Sequence, residues 1–189
     1  MAARVPRPAR LSKEAWLELE RQSGLRYEYL DGLVYAMAGE SRLHNEIILN
    51  LSEALRARAK SRGCLLYTQS VRVWIAALNR YYYPDVVVSC AEEKHSHEIH
   101  SPCLLIEVLS PSTLERDRRE KLDAYFKIPT LQTYLLVWQE ERRVEVYQKT
   151  TWNLLQNEQV NQGVLELPCL GLSLSLAQVY AGLEVPEVA

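Results

Sequence analysis

YYYPDVVVSC, residues 81–90, and CLLIEVLSPST, residues 103–113, decide the fold. Each embeds one carboxylate, Asp85 or Glu107, in a run of Val, Leu and Ile that reads as a strand buried on both faces. A buried charge is costly unless it is paired or binds a cation. Two such carboxylates on candidate neighbouring strands point to a divalent metal site, and hence to a metal-dependent hydrolase.

Working outward, the flanking segments supply helices and further strands. Ser12 is a candidate N-cap for a helix to Gln22, with Gly24 as its stop. RYEYL and LVYAM flank Asp31-Gly32, a type I′ hairpin signal that puts Glu28 and Leu30 on the face opposite Tyr27 and Tyr29. Ile47, Ile48, Leu51, Ala54 and Leu55 fall at helical spacing, so Leu43 to Ser61 reads as an amphipathic helix ended by Gly63. LLYTQSVRVWI reads as one strand, which turns near Leu78-Asn79 into a second over Tyr82–Cys90. AEEKHSHEIHSP is polar and reads as a loop.

After Glu107, Ser112 and Glu115 form a capping box that opens a helix to about Lys127, stopped by Pro129. TYLLVW, VEVYQ and WNLLQ read as strands, and a short helix near Leu176–Leu183 closes the chain. The helix between CLLIEVL and TYLLVW suits a crossover between parallel strands. The fold class is therefore α/β, a mixed sheet flanked by helices.

A chain of 189 residues suits one such domain, read here as residues 12–189 behind a disordered arm over 1–11. The arm, MAARVPRPARL, has no apolar stretch of the kind a secretory signal needs. No apolar run approaches the roughly 18 residues of a membrane span, so no membrane partner is expected. A net charge of −2 excludes a strongly basic nucleic-acid coat, although acids gathered at a metal site lower the total. Cys64, Cys90, Cys103 and Cys169 form no CxxC pair and read as reduced thiols, which fits a cytoplasmic protein.

Pro84-Asp85 followed by Glu107 on the next strand is similar to the PD-(D/E)XK nuclease superfamily, with its restriction-endonuclease-like fold. More narrowly, the chain resembles the Uma-two family of restriction-endonuclease-like proteins. The stretches that carry the resemblance are YEYLDGLVYAMAGESRLHNEII (27–48), YYYPDVVVSC (81–90) and PCLLIEVLSPSTLERDRREKLDAYFKIPTLQTYLLV (102–137), in this order. The superfamily pattern has Glu-x-Lys on the second strand, whereas Leu109 holds the lysine position here. The resemblance then implies that Lys121, on the following helix, takes the lysine's part.

The resemblance implies a nuclease acting on DNA with Mg²⁺ or Mn²⁺, held by Asp85, Glu107 and the carbonyl of Val108. Hard oxygen ligands suit these ions. Lys121 is the candidate electrostatic helper, with an i,i+4 salt bridge to Asp117 as its plain alternative. Glu28 and His44 are supporting candidates, the alternatives being a half-exposed hairpin charge and a hydrogen-bonded core histidine. Arg116, Arg118 and Arg119 could meet phosphate oxygens, or simply form a solvated helix face. Tyr81, Tyr82 and Tyr83 fit strand packing better than base stacking, and His95, His97 and His100 fit a polar loop better than a metal site. The competing function is a non-catalytic dimeric nucleic-acid-binding or regulatory module that keeps the fold. A homodimer through the apolar C-terminal strands is compatible with either.

Overall fold

The computed structural model describes residues 10–37, 39–111, 113–150 and 155–187. Helix α1 (Lys13–Ser23) starts where the Ser12 hydroxyl accepts the Ala15 amide and ends at Gly24, at φ 68°. It lays Trp16 against Tyr29 and Tyr81. The hairpin β1 (Tyr27–Leu30) and β2 (Leu33–Ala36) turns through Asp31 and Gly32, both at positive φ. A Cβ on Gly32 would stand 2.6 Å from the Arg10 Cβ at φ 96°. Gly32→Ala is therefore expected to cost about 1–3 kcal/mol, read as a lower urea midpoint at unchanged slope.

Helix α2 (Arg42–Ser61) buries Ile47, Ile48, Leu51 and Leu55, the stripe expected from their spacing. The segments expected as two long strands are in fact four. LLYTQSVRVWI divides into β3 (Leu65–Thr68) and β4 (Arg72–Ile75), which belong to different sheets. The return segment divides likewise into β5 (Arg80–Tyr82) and β6 (Val86–Ser89). Gln69 at φ 43° bends the first segment. Pro84 lacks the amide that a continuous ladder needs, which breaks the second. The two breaks meet where the Gln69 amide donates to the Asp85 carbonyl. Asp85 thus lies at a corner between sheets, immediately before β6.

The polar loop carries a two-residue strand, β7 (Glu98–Ile99), parallel to β4. Strand β8 (Pro102–Leu109) is buried at every position. The helix after it departs from the regular one expected. A π-helical turn, Arg116–Lys121, runs into the single-turn α3 (Leu122–Tyr125). The Tyr134 hydroxyl donates to the Asp117 carbonyl inside that turn, and a side chain entering the helical ladder favours such widening. The Ser112 half of the capping box lies outside the described residues.

Strands β9 (Thr133–Trp138), β10 (Val144–Lys149) and β11 (Leu155–Val160) follow, with the first part of WNLLQ outside the described residues. A hairpin not foreseen in the sequence, β12 (Val164–Leu167) with β13 (Leu172–Ser175), precedes α4 (Leu176–Val179).

The main sheet has the order β11-β10-β9-β8-β6-β3, with β8 and β9 parallel through the crossover and the other pairs antiparallel. A second sheet, β2-β1-β5-β4-β7, carries Glu28. One apolar core joins α2, the main sheet and the β12–β13 hairpin. Another, around Tyr82, Tyr125 and Tyr134, fills the space between the two sheets. Tyr81, Tyr82 and Tyr83 are all buried, so they pack rather than present rings to bases.

Candidate active site

The antiparallel register Val86↔Ile106 places Asp85 opposite Glu107, so the two acids are cross-strand neighbours. The Val108 amide donates to Asp85 Oδ2 at 2.7 Å. The Val108 carbonyl bears on the His44 imidazole, as expected for N–H and C=O groups of one strand residue pointing the same way. His44 Nε2 is 3.2 Å from the same Asp85 oxygen and 3.7 Å from Glu40. Its place is set locally, because the Ser41 hydroxyl caps α2 by accepting the His44 amide.

Lys121 reaches in from the π-helical turn. Its Nζ is 2.9 Å from Glu107 Oε1, 2.9 Å from Asp117 Oδ1 and 3.2 Å from Glu28 Oε1. The Asp117 contact is a charge contact without hydrogen-bond alignment, since Asp117 Oδ1 has no hydrogen-bond partner. The expected i,i+4 pair with Asp117 is therefore present but buried, and the same ammonium also contacts Glu107 and Glu28. Tyr125 OH donates to the same Glu107 Oε1 at 2.7 Å, and Arg116 pairs with Glu28 at 2.8 Å. Glu28, His44, Asp85, Glu107, Asp117 and Lys121 are all buried, Asp117 with only 1% of its surface exposed. They surround a cavity of about 210 Å³ that is continuous in lining with an outer groove of about 520 Å³, where Arg26 and Arg42 stand.

Five acids, Glu28, Glu40, Asp85, Glu107 and Asp117, line the cavity with two permanent cations, Arg116 and Lys121. Burial pushes the Glu107 carboxyl well above its usual range. Lys121 opposes that, and Asp117 and Asp85 add to it. Burial works against the Lys121 charge, yet Asp117, Glu107 and Glu28 hold the ammonium well above a lysine's ordinary value. Burial would likewise lower His44, but Asp85 and Glu40 raise it.

This gathering of acids, all buried except Glu40, fits a divalent cation, which would favour the ionised form of Glu107. Among the described residues no three His, Cys, Asp or Glu side chains form a ready-made cage. The donor set is instead two carboxylates plus a backbone carbonyl, all hard oxygens. Glu107 spends only Oε1 on Lys121 and Tyr125, and no hydrogen bond reaches its Oε2 among the described residues.

Of the three arginines, only Arg116 joins the cavity. Arg118 pairs with the buried Glu145 and lies over Trp138, while Arg119 projects to solvent beside Glu115. Asp117 and Tyr125 belong to the cluster although their positions alone did not mark them. Asp117 was visible only as a helix-surface partner of Lys121. Tyr125 is indistinguishable in sequence from the apolar stripe around it. His95, His97 and His100 remain on the loop, with His100 paired to Glu98.

Comparison with known proteins bears on the family and the fold. Residues 14–177 match the Uma2 family model, described as "Putative restriction endonuclease". The uncharacterized protein slr1290 of Synechocystis sp. is 35% identical over 179 residues, covering 92% of this chain and 93% of that protein. Another from the same organism, sll1609, is 36% identical over 143 residues, covering 74% and 81%. The crystal structure of a "putative nuclease belonging to DUF820" from Anabaena variabilis superposes with a TM-score of 0.74 at 17% identity, over 90% of this chain and 98% of that one. That structural likeness speaks for the fold, and the match along most of the sequence speaks for the family. This chain therefore belongs to the Uma2 family, whose restriction-endonuclease-like fold it shares.

Proposed function

We propose that this protein is a Mg²⁺- or Mn²⁺-dependent nuclease that hydrolyses DNA phosphodiester bonds at the Asp85–Glu107 cavity. The observation that carries this reading is the placement of Asp85, Glu107 and the Val108 backbone side by side at a sheet corner, faced by the Lys121 ammonium. Asp85, Glu107 and the Val108 carbonyl are the groups that would hold the ion. A bound divalent cation supplies charge neutralisation and an acidified water.

The chain's own residues do the rest. Lys121 keeps its proton and can stabilise negative charge that develops on the phosphate or hold a water by hydrogen bonding. Glu28 steadies both Lys121 and Arg116 by ion pairs from the neighbouring sheet. His44 and the Val108 amide orient Asp85. Arg116, Arg26 and Arg42 provide cationic groups along the approach from the outer groove, where phosphate contacts position a strand without reading its sequence.

The test is cleavage of supercoiled plasmid and of single-stranded DNA with Mg²⁺, Mn²⁺ or EDTA. Metal-dependent nicking is the expected result. A non-catalytic binding module remains the second reading, favoured by the two protein hydrogen bonds already made to Glu107. It predicts DNA retention without cleavage under every metal condition. As a companion measurement, Mg²⁺ should raise the thermal midpoint of the wild type and leave Asp85→Asn unmoved, because a ligand stabilises only the state it binds.

A further inference from the structure

All four cysteines of the chain, far apart in sequence, meet at one end of the main sheet. Cys64 follows α2, with its amide on the Ala59 carbonyl, and Cys90 follows β6. The register Leu65↔Ser89 sets the two directly opposite, and they are joined as a disulfide. This corrects the expectation of four reduced thiols. Cys103, at the start of β8, places its sulfur 3.6 Å from Cys90 Sγ. Cys103 in turn hydrogen-bonds Cys169, which lies between β12 and β13. Cys64 and Cys103 are buried, Cys169 is half-buried and Cys90 is exposed. The chain of sulfurs therefore runs from solvent through the sheet to a second thiol.

We propose that these cysteines form a thiol–disulfide exchange centre. In it the bond to Cys90 passes between Cys64 and Cys103, and low-molecular-weight disulfides load it through Cys90.

Loading begins when the Cys90 thiolate attacks a small disulfide, forming a mixed disulfide and releasing one small thiolate. Cys64 then displaces the second small thiolate from Cys90 Sγ. Two protein thiols have lost two protons and two electrons, and the small disulfide has become two thiols. Exchange follows when Cys103 attacks Cys90 Sγ. The Cys90–Cys103 bond forms, the Cys64–Cys90 bond breaks, and Cys64 leaves as thiolate, with no net oxidation. The proton lost by Cys103 ends on the departing Cys64 sulfur. The Cys169 hydrogen bond and burial hold the Cys103 thiol above its usual range, so removal of that proton limits the rate of the exchange.

The exchange moves a covalent tie from the α2–β6 junction to the β6–β8 pair. Three of the sulfurs, those of Cys64, Cys90 and Cys103, are thus linked to the elements that carry His44, Asp85 and Glu107, although the centre needs none of the metal chemistry proposed for those residues.

The test equilibrates the full chain in glutathione redox buffer, quenches with acid and alkylation, and maps disulfides in the monomer by mass spectrometry. Wild type is expected to keep two free thiols and to yield both Cys64–Cys90 and Cys90–Cys103 peptides. Cys64→Ser is expected still to lose two thiols, now wholly as Cys90–Cys103, and Cys103→Ser to show only Cys64–Cys90. Four free thiols in the wild type, or a Cys64–Cys90 peptide alone, would overturn the proposal, whether or not the variants fold. So would uptake of one Zn²⁺ per reduced chain with all four thiols protected, which would make the cluster a metal site.

Discussion

Glu107→Gln is expected to abolish Mg²⁺-dependent DNA cleavage, with a rate loss of at least about 100-fold, equivalent to ~2.7 kcal/mol of transition-state stabilisation. The substitution keeps the shape of the side chain and its hydrogen-bonding capacity toward Lys121 and Tyr125. It removes the charge that a hard divalent cation requires. Folding should suffer little, because burial and the neighbouring Asp117 and Asp85 already disfavour the ionised form of Glu107. A neutral amide there relieves crowding among the acids, so the unfolding midpoint should hold or rise. The paired outcome, a dead enzyme with an intact or raised midpoint, separates loss of the ion from loss of structure. Full activity in Glu107→Gln at saturating Mg²⁺ would remove Glu107 from the chemistry and with it the proposed metal site.

Lys121→Met should produce the opposite pattern, a large stability loss of roughly 3–5 kcal/mol at neutral pH. The lysine is buried and is the shared cation of Glu28, Glu107 and Asp117, so methionine fills its volume and strands three carboxylates. The pH dependence follows from the directions of the shifts. Lys121 is raised above its unfolded value of 10.5. Its contribution is complete below that value and is lost only as pH rises through the folded one. The wild type therefore enjoys the whole of it at pH 7. Glu107 is raised above 4.5, so the fold prefers its neutral acid, and stability from that source falls as pH rises through the folded value. Without the ammonium Glu107 moves further up. The gap between Lys121→Met and wild type should then narrow as pH falls toward the ordinary carboxylate range. Urea midpoints measured across that span check it, and a gap independent of pH would show that lost packing, not stranded charge, accounts for the cost.

Much of the candidate site is legible in the sequence. Asp85 and Glu107 stood out because a charge inside a Val- and Leu-rich run has few inexpensive explanations. His44 stood at the head of an apolar helical stripe, and Glu28 entered through the family resemblance as a supporting acid on the hairpin. The extended readings of 65–75 and 82–90 failed for one reason. The stretches on either side of Gln69 and of Pro84 each have strand composition and so read as continuous, whereas the chain changes sheets at those two points. The β12–β13 hairpin went unread because its strands are only four residues long and the connection over residues 168–171 lacks a two-residue hairpin signal.

What the sequence by itself determined is the kind of protein this is. The periodicities and the capping and turn residues define a mixed α/β sheet flanked by helices, with two carboxylates in apolar strands, and the resemblance to the Uma-two family adds the restriction-endonuclease-like fold. Only the tertiary structure decided which groups share that centre. The π-helical turn, set by the Tyr134 hydroxyl on the Asp117 carbonyl, aims both Asp117 and Lys121 inward while leaving Arg119 in solvent. The same holds for the cysteines, whose meeting depends on strand register and on the docking of the β12–β13 hairpin. Local sequence governs backbone conformation over a few residues. Contacts between residues that are distant in the chain are selected by how the buried faces pack, and charge and thiol chemistry follow from those contacts.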